Sequence, residues 1–326
     1  MIEINHLTKK FGKHVAVDDL SLTIEPGRIY GFLGPNGAGK STTMNMITGY
    51  LGATNGSIKI NGHDIFAEPE EAKKCVGYLP EQPPLYQDMT VEEYLKFVSE
   101  LKKIPKDKRK QYIKEAMEMT MITDVKGRLI KNLSKGYRQR VGFAQAILGY
   151  PEVIILDEPT VGLDPKQIIE VRDLIRKLGE KHVVILSSHI LSEVREVCDY
   201  VFIIARGKLV ASDTTENLLK GGEEKLQIRM LLKGSQEAVE RTFSACDFVD
   251  EYQIGKTDKE DTYRVVLTLS ETDEVREEIA KHCAQDGLLI LETQAEKKSL
   301  EEVFLTLTNV AGLADEETEA DEEVEE

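Results

Sequence analysis

At 326 residues, the chain can bury one large core or two ordinary ones. Hydrophobic residues make up 41% and charged residues 31%, the balance of a soluble globular protein, and no apolar stretch approaches the ~18 residues that span a bilayer. Net charge is −16, and nine of the acids fall between Gly312 and Glu326; the remainder, at −7, is still acidic, which speaks against nucleic acid as a partner.

The four cysteines, Cys75, Cys198, Cys246 and Cys283, form no Cys-x-x-Cys pair and stand beside no histidine at metal-ligand spacing, so they are expected as reduced, mostly buried thiols. The opening Met1-Ile-Glu-Ile-Asn5 lacks the basic and apolar regions of a signal peptide, and the chain is expected to stay in the cytoplasm.

The first ~218 residues alternate short apolar strands with amphipathic helices, an α/β pattern. Ile2–Ile4 and Ser21–Ile24 read as strands. Arg28–Leu33 is a buried strand that runs straight into the glycine-rich segment Gly34-Pro-Asn-Gly-Ala-Gly-Lys-Ser41. Ser57–Ile60, followed by the Asn61-Gly62 turn, suggests a hairpin-like strand at an antiparallel edge. From Thr90 to about Tyr150 the chain turns helical. Thr90-Val-Glu-Glu93 matches a capping box, and Pro105 is expected to close that helix. A second helix covers roughly Lys106–Met121, and a third begins after Ser134 and ends before Pro151. Strands return at Val153–Leu156, Val183–Leu186 and Tyr200–Ile204, so the helical block of about 90–150 looks like an insertion into a sheet.

Gly221-Gly222 marks a boundary. Beyond it the order is strand (225–232), helix (235–243), strand (248–254), strand (263–269), helix (272–285) and strand (288–293). This is the β-α-β-β-α-β arrangement of a ferredoxin-like domain. A last helix, Ser299–Thr308, carries Leu300, Val303, Phe304 and Leu307 at helical spacing and is expected to pack on that domain. The acidic run that follows cannot form a core and is expected to stay unfolded. The organisation is thus an α/β domain at 1–220, a small α+β accessory domain at 223–310, and an acidic tail at 311–326.

Three segments carry chemistry. Gly34–Ser41 fits G-x-x-x-x-G-K-[ST], in which glycines let successive backbone N–H groups converge on phosphate oxygens with no Cβ in the way. The helix that follows points its positive end at the same anion. Lys40 is placed to reach the β- and γ-phosphates, and Ser41 to ligate Mg²⁺. Asp157 and Glu158 end a fully apolar strand, where two adjacent carboxylates repel unless a cation compensates. In P-loop enzymes the acid at the position of Asp157 holds the metal, and Glu158 sits where a carboxylate can polarise an attacking water. Between the loop and the acids lies Leu133-Ser-Lys-Gly-Tyr-Arg-Gln-Arg140, a helix opening with Ser134 as its N-cap.

In this order the three resemble the ATPase subunit of an ABC (ATP-binding cassette) transporter. The resemblance covers roughly residues 1–218 and implies a P-loop fold with an inserted helical subdomain. It implies ATP and Mg²⁺ as ligands, with Asn36, Gly37, Gly39 and Thr42 joining Gly34, Lys40 and Ser41 around the phosphates. It further implies that Ser134 and Gly136 face the nucleotide held by a second protomer. The family's usual Leu-Ser-Gly-Gly-Gln is altered here by Lys135 and Tyr137. By the same resemblance, Asp164 in Val161-Gly-Leu-Asp164 belongs to a loop crossing the dimer interface, His189 contacts the γ-phosphate, and Phe11 stacks on adenine, although Phe11 also reads as a core or edge residue. The family's lid residue is usually Gln. Here Glu81 stands at that spacing and Gln82 follows, and a carboxylate ligates Mg²⁺ better than an amide.

The Ser299-Leu-Glu-Glu-Val-Phe-Leu305 ending is similar to that of ABC-2-type exporter ATPases of the drug-export and gliding-motility kind. The resemblance implies an ATPase that pairs as a homodimer or heterodimer and drives separate membrane permease subunits from the inner face of the membrane. The alternative from the same motifs is a soluble ABC-type ATPase acting on ribosomes or DNA.

Overall fold

A computed structural model describes residues 1–220, 226–244, 246–257, 259, 261–269, 275–296 and 304. Contacts divide the chain into two units, one of Met1–Thr215 together with Phe304, and one spanning Glu216–Val303.

The first unit holds two sheets. In chain order its elements are β1 (Ile2–Phe11), β2 (His14–Ile24), β3 (Ile29–Leu33), α1 (Lys40–Ile47), β4 (Asn55–Ile60), β5 (His63–Asp64), α2 (Pro69–Lys74), β6 (Val76–Leu79), α3 (Val91–Leu101), α4 (Lys106–Met119), α5 (Lys135–Ile147), β7 (Val153–Asp157), α6 (Pro165–Gly179), β8 (Val183–Ser188), α7 (Leu191–Val197), β9 (Tyr200–Ala205) and β10 (Lys208–Thr214). An antiparallel sheet runs β2-β1-β4-β5, and a larger one runs β10-β9-β3-β8-β7-β6. In the larger sheet all neighbours pair in parallel except the edge strand β10. Every residue of β3, β7 and β8 is buried, which is why they read as unbroken apolar runs rather than alternating ones. The two sheets share one core, in which Ile2, Ile4 and Leu7 of the small sheet meet Phe32, Ile155 and Ile185 of the large one. The outcome for function is that β3, β8 and β7 are neighbours, so the segments leaving their C-terminal ends converge, the usual ligand position in an open parallel sheet.

The helical block from α3 to α5 is inserted between the adjacent strands β6 and β7. Thr90 and Glu93 form the capping box reciprocally, each side chain meeting the other's backbone N–H. Pro105 does not close α3, however. That helix ends at Leu101, Lys103 turns into the left-handed region at φ 55°, and Pro105 caps the start of α4. A proline without an N–H suits a helix start, where no partner is needed. The strand expected at an antiparallel edge also has a neighbour on each side. Asn61 and Gly62, at φ 50° and 85°, turn β4 into the two-residue β5, which takes the edge.

The second unit begins within α8 (Thr215–Lys220) and continues through β11 (Leu226–Lys233), α9 (Gln236–Ser244), β12 (Val249–Lys256), β13 (Thr262–Leu269), α10 (Val275–Gln285) and β14 (Leu289–Glu296). Its sheet, β12-β13-β11-β14, is antiparallel throughout. Alternate residues Ile228, Met230 and Leu232 face Val265, Leu267 and Leu269, with Phe243 of α9 and Cys283 of α10, in a core of its own. The division falls at Glu216, ahead of the Gly221-Gly222 pair, which lies outside the described residues, as does the acidic tail. Of the expected helix at 299–308 only Phe304 is described. It is buried and groups with the first unit, not with the accessory domain to which the sequence assigns it. Among the described residues no helix is long and apolar enough to cross a membrane.

Candidate active site

A cleft of about 630 Å³ opens over the end of β3, lined by Phe11, Asn36, Gly37, Gly39, Lys40, Ser41, Thr42, Glu81, Glu158 and His189 together with His14, Ala16 and Val161. The sequence singles out the first ten of these. Val161 opens the Val161-Gly-Leu-Asp164 loop, while His14 and Ala16 come from β2, which carries no motif of its own. They are brought in because the glycine loop presses on β2: a Cβ on Gly39 would lie 2.5 Å from the Ala16 carbonyl oxygen. Gly39 sits at φ 101°, a conformation that glycine adopts without strain.

Lys40 begins α1 and is only 6% exposed. Its ammonium donates to the carbonyls of Gly34 (2.8 Å) and Pro35 (3.2 Å), folding back on the loop that a phosphate would fill. Burial pulls its pKa below the ordinary lysine value, and the charges of Glu158 and Asp157 oppose that shift. The Ser41 hydroxyl donates to Asp157 Oδ1 at 3.3 Å, and Ser187 donates to the same oxygen from the end of β8. A hydroxyl and a carboxylate oxygen this close are a hard-oxygen donor set, which fits a divalent cation such as Mg²⁺.

Glu158 directly follows β7. Its backbone is at φ 47°, a left-handed conformation that costs a non-glycine residue about 1–3 kcal/mol and persists only where neighbours over-determine it. Its N–H donates to the carbonyl of Ser187 (3.2 Å) and to the Ser187 hydroxyl (3.1 Å). The side chain is nearly buried, with Nδ1 of His189 at 3.0 and 2.9 Å from its two oxygens and the Lys40 ammonium at 3.9 Å. Burial pushes the carboxyl pKa above the ordinary glutamate value. The His189 hydrogen bond and charge and the Lys40 charge pull it back, and Asp157 pushes it further up. An ionised carboxylate only accepts, so the His189 Nδ1 carries the proton in this pair. The arrangement joins a carboxylate of raised basicity, an imidazole and a buried ammonium at one end of a phosphate-sized loop.

Glu81 lines both this cleft and a neighbouring cavity of about 670 Å³ that includes Ser41 and Asp157; Gln82 lines only the neighbouring cavity. Phe11 is half exposed, and the Lys9 ammonium stands 5.1 Å from its ring centroid, so the ring is no part of the core. Ser134, Gly136 and Asp164 do not line the cleft and form a second cluster. Ser134 Oγ caps α5 by accepting from Tyr137 N at 3.3 Å, and Asp164 caps α6 by accepting from Gln167 N at 3.0 Å. A Cβ on Gly136 would lie 2.6 Å from the Gln167 side chain, which ties the two helix starts together.

Sequence motifs did not reveal Ser187 or Glu193. Ser187 follows the strand read at Val183–Leu186 and carries no motif, and Glu193 belongs to no motif in the sequence. Glu193 is nevertheless buried, accepting from Thr160 Oγ1 at 2.6 Å and from Ser188 Oγ at 3.2 Å.

The ABC transporter family model matches residues 17–161, from β2 to the turn after Glu158. The bacitracin transport ATP-binding protein of Bacillus licheniformis is 34% identical over 312 residues, covering 94% of this chain and 97% of that protein. The linearmycin resistance ATP-binding protein of Bacillus subtilis is 29% identical over 94% of this chain and 98% of its own length. Among solved structures, a bacterial ABC transporter cassette determined as a dimer superposes with a TM-score of 0.60 at 25% identity, covering 66% of this chain and 98% of that one.

Proposed function

This chain belongs to the ATP-binding subunits of ABC transporters, and on that premise we propose that it hydrolyses ATP in a paired assembly of two cassettes to drive export through separate membrane permease subunits. The observation that carries the catalytic part is the Glu158–His189–Lys40 cluster at the mouth of the phosphate loop.

In this reading the β- and γ-phosphates of ATP displace the Gly34 and Pro35 carbonyls as partners of the Lys40 ammonium. The backbone N–H groups of Asn36, Gly37 and Gly39 and the side chains of Ser41 and Thr42 surround the phosphates. Phe11, exposed at the cleft rim, offers its face to the adenine. Ser41 and Asp157 would hold Mg²⁺, with Glu81 reaching it from the lid segment. The cation would neutralise phosphate charge and withdraw electrons from the transferred group. Glu158 takes the proton of the attacking water, for which its raised pKa is suited, and His189 orients its carboxylate and meets the γ-phosphate.

Ser134, Gly136 and Asp164, gathered outside the chain's own cleft, serve a nucleotide held by the second cassette. That a related cassette among the solved structures is dimeric supports the pairing of two cassettes. ATP binds the closed pair better than the open one, so closure and reopening follow binding and hydrolysis, and the helical block carries the motion to the permease. The direction of transport rests on two relatives of nearly full length, one named for bacitracin transport and one for linearmycin resistance. The assembly would lie at the inner face of the membrane through its permease.

The test is recovery of the tagged chain from detergent-solubilised membranes, followed by identification of what comes with it. Polytopic membrane proteins whose presence raises ATP turnover are the expected result. Recovery of the chain on ribosomes, unaffected by detergent, would overturn the transport reading.

A further inference from the structure

One buried carboxyl oxygen joins the two segments that deliver the catalytic pair. Glu193 lies in the first turn of α7 and is 4% exposed. Its Oε2 accepts from Thr160 Oγ1 at 2.6 Å and from Ser188 Oγ at 3.2 Å. Thr160 stands two residues after Glu158, and Ser188 stands one residue before His189. Ser188 also takes the N–H of Ile190 on its hydroxyl at 3.0 Å, which fixes the backbone on the far side of His189. The turn carrying Glu158 is gripped from its other side by α5, where Gln139 Nε2 donates to the Pro159 carbonyl at 3.0 Å. None of Glu193, Thr160, Ser188 and Gln139 lines the nucleotide cleft.

We propose that Glu193 is a positioning residue that ties the 158–160 turn to the 188–190 segment, and so sets the spacing between the Glu158 carboxylate and the His189 imidazole. The inference rests on the reading of Glu158 as the group that activates water. A carboxyl oxygen with two hydroxyl donors from different segments has no other substrate-facing task, since neither donor reaches the cleft. Glu158 sits in a left-handed backbone conformation, and such a residue stays in place only if the turn after it cannot relax. The Thr160 hydroxyl supplies that constraint on one side and Gln139 supplies it on the other. Release of the Glu193 contact lets the turn move away from His189, and a shift of about 1 Å at a reacting group can cost on the order of a hundredfold in rate.

The experiment measures ATP affinity, kcat and melting temperature for the wild type, Glu158→Gln, Glu193→Ala, Glu193→Gln and Thr160→Val. Glu193→Ala is expected to lose tenfold or more in kcat, with ATP affinity within about threefold of wild type, because the cleft itself is untouched. Glu193→Gln keeps an amide oxygen that accepts both hydroxyls, so it is expected to recover kcat to within about threefold of wild type. Thr160→Val is nearly isosteric and removes only one donor. It is expected to lower kcat severalfold, and to add nothing further in the Glu193→Ala background, as partners in one contact should.

Glu193→Ala with wild-type kcat would overturn the proposal. So would a variant in which ATP affinity, kcat and melting temperature fall together, or one that Gln does not rescue. Should Glu193→Ala fail to fold, Thr160→Val decides: wild-type kcat there overturns the proposal, and a selective fall in kcat supports it. A Glu158→Gln protein that still turns over at the wild-type rate would sink the reading of Glu158 and this inference with it. Loss in Glu158→Gln beside wild-type turnover in Glu193→Ala sinks only this inference.

Discussion

Glu158 is held between opposing influences. Burial and Asp157 favour its neutral form, while His189 and Lys40 favour the charged one. The net direction is upward, with burial the largest cause. Glu158→Gln removes the base and leaves Lys40, Ser41 and Asp157 in place. We expect ATP affinity near wild type and a fall in turnover of roughly a hundredfold or more. Single-turnover phosphate release with bound ATP checks this, and wild-type turnover in the variant would rule out the role. Glu158 stood out in the sequence because it follows Asp157 at the end of an apolar run, whereas His189 was singled out only through the family resemblance. Ser187, which bonds both Asp157 and the Glu158 N–H, was not legible. It carries no motif, and its partners lie about thirty residues upstream, reachable only once β7 and β8 pair.

The helix α5 connects the nucleotide-facing end of the fold to the helical block, and both its ends are fixed from outside. At the start, Ser134 caps it locally. At the end, the Lys102 ammonium, arriving from the segment after α3, donates to the carbonyls of Gln145 (2.9 Å), Ala146 (3.1 Å) and Leu148 (2.8 Å). Those carbonyls are among the last-turn groups without intrahelical partners, and a cation there also meets the negative end of the helix dipole. Next to them α5 lies against β6 so closely that a Cβ on Gly77 would stand 2.1 Å from the Ala146 carbonyl oxygen. Lys102→Met keeps the aliphatic stem and removes the donors. We expect a loss of about 1–3 kcal/mol and a correspondingly lower denaturant midpoint at unchanged m-value. An unchanged midpoint would mean that water serves those carbonyls as well as Lys102 does. The start of α5 was readable from the Ser134 cap and its end from Pro151. The clamp at its end was not, because a lone lysine after a helix looks like solvated surface. The same limit explains Pro105: the sequence marks a helix boundary there, and only packing shows that it opens α4 rather than closing α3.

At the scale of the whole molecule, the motifs fall into two groups: those lining the cleft, and the Ser134–Gly136–Asp164 cluster outside it. If the second group serves a partner's nucleotide, Ser134→Arg should abolish hydrolysis without weakening ATP binding by the same chain. An equal mixture of Ser134→Arg and Lys40→Ala should then recover one intact composite site at most. Loss of ATP binding by monomeric Ser134→Arg, as complete as in Lys40→Ala, would exclude the trans arrangement. The accessory unit poses the last question. It has its own sheet and its own core, and among the described residues none that lines the nucleotide cleft comes from it. A chain ending at Lys220 should therefore fold and bind ATP with affinity near wild type. It would also lose Phe304, a buried aromatic that groups with the ATPase unit. Burial of such a side chain contributes about 1.5–3 kcal/mol, and in a unit of this size each kcal/mol moves the melting temperature by about 2–4 °C. The shortened chain should melt roughly 5–10 °C lower. Restoring Phe304 alone is impossible without the intervening domain, but Phe304→Ala in the full chain isolates its share and should reproduce most of that fall. A drop of tens of degrees on truncation, with only a few in Phe304→Ala, would show that the accessory unit holds the ATPase unit together rather than folding beside it.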